Sequence, residues 1–292
     1  MKRLLLLSAV VISIVAPTPG FAKGNHAPPT YSASLFAGSV SSYLQTRTGV
    51  VSIAVYDHLT HKTWALLPAK LNHAASVSKV DIMAAYLHQL QVKKQSLTAA
   101  NLTRLTQMIE YSDNADAAYF YRLIGVCQGL TTFNAMIPLT ATTPVCPHGD
   151  IYGWGIMNTT VLDQLRVVKL FSTKNSILTA ASRKLGLSLM EHISAGDTWG
   201  VSTGPQKGST VAFKNGWSPL TSTSDWQINS IGWIRGSGRN YDIAVMSSGD
   251  PSFAYGVATI GQTAQLIWDI LTKNKLGRKF QRTKSPSWTA DP

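Results

Sequence analysis

Within "HAASVSKVDIMAAYL", residues 73 to 87, Ser76 and Lys79 stand three positions apart at the start of a helix-forming stretch. On a helix that spacing puts both on one face within one turn. A serine there meets free backbone N–H groups and the positive end of the helix dipole, which favour the negative charge of an acylation intermediate. Lysine acts as a base only with a lowered pKa, which burial and a second nearby cation supply. The same pattern also describes a plain helix-capping serine, and S-x-x-K alone recurs by chance. Ser78 is the neighbouring competitor, but one residue from Lys79 it points away on a helix.

Other chemistry-bearing residues divide quickly. Ser202 in "GVSTG" matches the G-x-S-x-G nucleophile elbow, which requires a strand before it, a helix after it and a later histidine. The "PQKG" that follows is turn chemistry and the last histidine, His192, precedes it, so the elbow reading is set aside. His58 and His61 have metal-like spacing but fall in "HLTH", a turn between strand-like runs, where both are expected to be solvated. Cys127 and Cys146 are the two cysteines. A disulfide is the favoured reading for an exported chain; a zinc site completed by His148 is the alternative, and it lacks a fourth ligand at recognisable spacing.

The elements that must hold these residues follow from periodicity. "YSASLFAGSVSSYLQ" reads as a helix, and "VVSIAVYD" and "KTWALL" as a hairpin. From about residue 74 to 195 the pattern is helical, with Val80, Met83, Leu87 and Leu90, then Leu102, Leu105 and Ile109, then Val161, Leu165 and Val168 at helical spacing. Strands return at "STVAFKNGW", "DWQINSIGWIR" and "NYDIAVMSSG", and an amphipathic helix from about 253 to 271 closes the pattern. The expected fold is α+β with two lobes: an antiparallel five-stranded sheet with flanking helices, and an inserted all-helical lobe. The expected boundaries are 31–73 with 205–273 for the discontinuous sheet lobe, 74–204 for the helical lobe and 274–292 for a basic tail.

Two further motifs give Ser76 a context. "IEYSDNADAAYF" carries Ser112-Asp113-Asn114 between helical segments, and "VAFKNGW" carries Lys214-Asn215-Gly216 on a strand. With S-x-x-K ahead of them, the chain resembles the serine β-lactamase and penicillin-binding protein superfamily, whose signatures are S-x-x-K, S-D-N and K-T-G in this order. The resemblance runs over most of residues 31 to 273 and is closest to class A-like serine hydrolases. It implies a site in the cleft between the lobes, where Ser76 attacks an amide carbonyl with Lys79 as base. The backbone N–H groups of Ser76 and Trp217 would form the oxyanion hole beside Gly216. Ser112 would pass a proton to the leaving nitrogen, helped by Lys214, whose charge also draws in a substrate carboxylate. Asn114 would hold the acyl side-chain amide, and Asp113 would fix its loop. The implied substrates are a β-lactam or the D-alanyl-D-alanine end of wall peptides, with no cofactor or metal and a monomeric chain.

The sequence departs from that pattern in three ways. Asn215 replaces the usual threonine, so a hydroxyl contact to a substrate carboxylate must be replaced or lost. The interval from Ser76 to Ser112 is short for a class A enzyme. No glutamate fits the deacylating position: Glu110 precedes Ser112, Glu191 comes well past the loop, and "TPVCPHGDIYGWGIMNTT" offers only Asp150, whose side chain is shorter. Trp154 is expected to pack that loop against the helical lobe. These departures keep open a rival reading, a catalytically idle peptidoglycan-binding or β-lactam-binding protein.

Composition frames the rest. The 292 residues, 45% hydrophobic, suffice for a substantial core without disulfide scaffolding. The start, "MKRLLLLSAVVISIVAPTPGFA", has the cation, apolar and small-residue layout of a secretory signal peptide cleaved after Ala22, so 1–22 is read as an export signal. No later segment approaches the roughly 20 apolar residues of a membrane span. The formal charge is +12, and about +10 remains once Lys2 and Arg3 are removed. Lys273, Lys275, Arg278, Lys279, Arg282 and Lys284 concentrate cations near the C-terminus, read as a solvated tail with contact to anionic wall polymer as the functional alternative. Nucleic acid is a poor partner for an exported chain.

Overall fold

Short runs of β-branched and aromatic residues make the sheet. The computed structural model describes residues 31–146, 152–220 and 225–281, with 272–281 described as backbone alone. The strands β1 (Val50–Asp57), β2 (Lys62–Leu66), β5 (Thr210–Pro219), β6 (Trp226–Gly236) and β7 (Arg239–Asp250) form one sheet in the order β2-β1-β7-β6-β5. Every pairing in it is antiparallel. In β7 the run from Tyr241 to Ser247 is buried throughout rather than alternately. A strand buried on both sides reads as a continuous apolar run, which is why this segment lacks a clean period of two. β5 stands at the sheet edge, with Lys214 opposite Ile231 and Gly216 opposite Asn229.

The helical segment between β2 and β5 contains α2 (Ser78–Val92), α3 (Ala99–Glu110), α4 (Asn114–Leu123), α5 (Val126–Asn134), α6 (Val161–Ser172) and α7 (Ala180–Glu191). Their starts are chemically marked. Thr98, Asp113, Thr160 and Thr179 each accept a hydrogen bond from the backbone N–H three residues on, satisfying a donor that the helix itself cannot. A two-residue ladder, β3 (Asn72–His73) against β4 (Asn158–Thr159), ties the chain ahead of Ser76 to the chain ahead of α6. The architecture is the expected α+β arrangement of a five-stranded antiparallel sheet flanked by helices with a helical lobe beside it.

Three expectations need correction. The helix expected over 31–45 is interrupted by Gly38, whose φ of 86° is open to glycine and strained for other residues; a short turn of 3-10 helix, Ser34–Phe36, and α1 (Ser39–Leu44) stand in its place. The last helix, α8 (Phe253–Gln281), runs past Leu271 into the segment read as a tail, where lysine, arginine and glutamine are good helix formers. His58 is not solvated: its Nε2 lies 3.0 Å from the buried Asp242 carboxylate, which also accepts from Ser172 at 3.0 Å. No helix among the described residues is long and apolar enough to cross a membrane.

Candidate active site

Ser76 lies in a 3-10 turn, Ala75–Val77, that runs directly into α2, and no side chain caps either start. The capping-serine reading therefore fails for this residue. Ser78 has a structural bond instead, donating from Oγ to the Ala75 carbonyl at 2.7 Å. Lys79, one turn on from Ser76, is fully buried. Its Nζ is 3.0 Å from Ser76 Oγ, 3.0 Å from Ser112 Oγ, 2.5 Å from the Ser112 carbonyl and 2.8 Å from Asn114 Oδ1. An ammonium has three protons for these four oxygens. A neutral amine can instead accept a proton from either hydroxyl, which is the contact a general base needs.

The protonation of Lys79 follows from its surroundings. Burial, and next the nearby Lys214 charge, lower its pKa to about 7, while Asp113 and Asp197 act the other way. Lys214 reaches the same point from β5, its Nζ 3.0 Å from Ser112 Oγ and 3.0 Å from the Asn215 carbonyl. Burial lowers it to about 8, opposed by Asp197. Ser112 thus lies between two lysines. It takes a left-handed backbone, φ 57°, a conformation that is uncommon outside glycine, concentrated at functional sites and worth about 1–3 kcal/mol of strain. That conformation lets both its carbonyl and its hydroxyl face Lys79.

The remaining expected residues divide. Asn114 opens α4 beside Lys79, and Asp113 caps that helix by accepting from the Asp116 N–H at 2.7 Å. Gly216 backs directly onto the Ser76 turn: a Cβ there would sit 2.7 Å from the Ser76 nitrogen and 2.7 Å from the Val77 nitrogen. This close approach brings Trp217, the next residue on the sheet edge, alongside the Ser76 turn. Asn215 is placed otherwise than expected. Its side chain is fully buried, donates to the carbonyls of Asp197 at 2.8 Å and Trp199 at 3.0 Å, and accepts from Ser230 Oγ at 2.6 Å. It therefore binds the segment ahead of β5 and offers no group to a substrate.

Cys127 and Cys146 form a disulfide, with Cα atoms 5.6 Å apart, so the zinc alternative is excluded for these thiols. Ser202 donates to the Trp199 carbonyl within a 3-10 turn, without the strand and helix of a nucleophile elbow. Asp150, His148 and the signal segment lie outside the described residues. Among the described glutamates, Glu110 is raised in pKa by burial, with His192 acting the other way.

Four residues of the site were missed. Asn229 Nδ2 donates to the carbonyls of His73 and Ala74 at 2.8 and 2.9 Å, and Gln227 Nε2 donates to His73 at 2.8 Å. Ser230 receives the Val201 N–H while bonding Asn215, and Asp197 acts on both lysines. Gln227 and Asn229, alternating polar positions between the apolar Trp226, Ile228 and Ile231 of β6, were the visible signal.

No family model matches the sequence, and no curated protein sequence matches it. Solved structures do. The extended-spectrum β-lactamase TLA-1 superposes with a TM-score of 0.72 at 19% identity, over 83% of this chain and 100% of that one. A representative class A β-lactamase from Bacteroides cellulosilyticus gives 0.72 at 15%, over 84% and 100%, and a β-lactamase from Xanthomonas campestris 0.68 at 19%, over 79% and 95%. The fold is that of the class A β-lactamases. On this β-lactamase fold Lys79 and Lys214, 33 and 102 residues from Ser112 in sequence, converge on its hydroxyl.

Proposed function

We propose that the chain is an exported serine hydrolase that forms an acyl-enzyme on Ser76, with β-lactams or D-alanyl-D-alanine-type wall peptides as substrates. The observation that carries this reading is the contact of Lys79 Nζ with Ser76 Oγ at 3.0 Å, inside a site that keeps the lysine near neutrality. Neutral Lys79 takes the Ser76 proton as Oγ bonds to the carbonyl carbon. The N–H groups of Ser76 and Trp217 hold the developing oxyanion. The amide C–N bond then breaks as Ser112 gives its proton to the leaving nitrogen, and the proton held on Lys79 replaces it, with Lys214 stabilising the transfer. Asn114 orients the acyl amide, and Lys214 attracts a carboxylate. Export after Ala22 places this chemistry outside the cytoplasm, in the periplasm, secreted or at the wall, where the basic C-terminal segment meets anionic polymer.

The second reading, an idle wall-binding or β-lactam-binding protein, is favoured by one observation: Asn215, in the threonine position, is committed to the fold. Intact-protein mass after exposure to benzylpenicillin separates the two. The enzyme reading expects a mass increase equal to the penicillin, mapped to Ser76 and absent in Ser76→Ala. Retention of the drug by equilibrium dialysis with no mass increase establishes the binder; an adduct on Ser78 or Ser202 overturns the assignment of the nucleophile.

A further inference from the structure

An indole lies against Lys79. Trp154 is buried, 4% exposed, and Lys79 Nζ lies over its ring, 5.0 Å from the centroid. The loop that carries it is fixed to the nucleophile's own backbone: the Gly155 carbonyl accepts from the Ala75 N–H at 2.8 Å, and the Met157 carbonyl from the Ala74 N–H at 2.9 Å. β3 and β4 extend that attachment. A large apolar side chain is thus held by backbone bonds one and two residues before Ser76, against the amine that must activate it.

Two consequences follow from the chemistry of a buried indole. It withholds water from Lys79, and desolvation is the largest cause of that lysine's depressed pKa. Its ring face also attracts the ammonium, by about 0.5–2 kcal/mol, which works against the desolvation. The same bulk denies a water molecule the space beside Lys79. Hydrolysis of an ester on Ser76 needs such a water: its oxygen bonds to the acyl carbon, the bond to Ser76 Oγ breaks, one water proton ends on Oγ, and the acyl group leaves as a carboxylic acid.

We propose that Trp154 is a positioning residue that seals the Lys79 side of Ser76 against water and so lengthens the life of the acyl-enzyme. The second half rests on the acyl-enzyme reading above; the seal itself does not. Among the described residues the charged groups acting on Lys79 are Lys214 from β5, Asp113 ahead of α4 and Asp197 ahead of β5, and none of these is altered by substitution at Trp154. Loss of the ring attraction would lower the Lys79 pKa and entry of water would raise it, so a rise on such substitution reports hydration.

The test compares the wild type with Trp154→Phe, Trp154→Leu and Trp154→Ala, each first checked for a cooperative thermal transition. Lys79 is titrated by NMR of its side-chain carbons, and the penicillin adduct is followed by intact mass after removal of free drug. Trp154→Ala should move the Lys79 pKa up toward the ordinary lysine value and shorten the adduct lifetime by about tenfold or more, with Phe close to wild type and Leu between. If the Ala variant does not fold, Leu against Phe carries the comparison. An unchanged or lowered Lys79 pKa in the smaller variants overturns the seal, and an unchanged adduct lifetime overturns its effect on deacylation. Should the wild type form no adduct, the acyl-enzyme reading and the lifetime half fail together, while the titration still decides the seal.

Discussion

At the scale of single residues, the two lysines set the pH response. In the proposed acylation Lys79 must be neutral to take the Ser76 proton, and its value of about 7 makes it so above that pH. Lys214 must stay charged beside Ser112, and its value of about 8 sets the upper limit. The acylation rate should therefore rise through about 7 and fall above about 8, a narrow bell measurable by stopped-flow with a chromogenic cephalosporin. A rate still climbing at pH 9 would show that Lys214 acts without its charge. Both lysines bind fewer protons folded than unfolded between those values and the ordinary 10.5. Their burial penalty is thus full below about 7 and is relieved as pH rises toward 10.5, so their contribution to stability increases with pH over that interval. Gly216 acts through its missing side chain. Gly216→Ala puts a methyl 2.7 Å from the Ser76 nitrogen, and we expect about 1–3 kcal/mol of destabilisation together with slower acylation. A variant with wild-type melting temperature and rate would mean that β5 withdraws freely.

At the scale of elements, the site depends on how β6 holds the turn that carries Ser76. Gln227 and Asn229 bond the His73 and Ala74 carbonyls, and the Gly155 and Met157 carbonyls take the N–H groups of Ala75 and Ala74. The turn is fixed from both sides, which offsets the strained φ of 49° at Ala75. Asn229→Ala removes two buried donors and leaves their carbonyls without them, so stability should fall by about 1–3 kcal/mol, read as a shift in urea midpoint. Acylation should slow with it, since a small displacement of Ser76 from Lys79 is enough to lose the contact. The S-x-x-K spacing was legible because it is local to one helix turn. The β6 residues were not, because their partners lie more than 150 positions earlier, at separations of 154 to 156.

At the scale of the whole molecule, one covalent link joins α5 to the chain that leads toward the Trp154 loop. Cys127 and Cys146 close a loop with a sequence separation of 19, for which the chain-entropy model gives about 3 kcal/mol. The double variant Cys127→Ser with Cys146→Ser should lose about that much in chemical denaturation, and thiol titration of the unfolded, unreduced wild type should find no free cysteine. Two titratable thiols would contradict the cross-link. Helical segment and sheet meet at the site, where Lys79 and Ser112 come from the helical side and Lys214 from the sheet edge, and again where Ser172 of α6 donates to Asp242 of β7.

Local pattern determined the strand runs and the helical insertion, because periodicity is written in consecutive residues. The pairing of the two cysteines was favoured by their count and the export signal, and Ser76 was ranked above Ser78 and Ser202 by a lysine one turn away together with two later motifs. Only the tertiary structure decided which way Asn215 faces, that His58 is paired with Asp242 instead of solvated, and that an indole covers Lys79. The strand pattern of "VAFKNGW" places Asn215 opposite in orientation to Lys214 but does not say what lies over it; the carbonyls of Asp197 and Trp199 do. Likewise the depressed pKa of Lys79 arises from burial and from a lysine 135 residues later in the chain by numbering, Lys214. Desolvation depends on everything packed around a group, so it is a property of the folded chain and has no local signature in sequence.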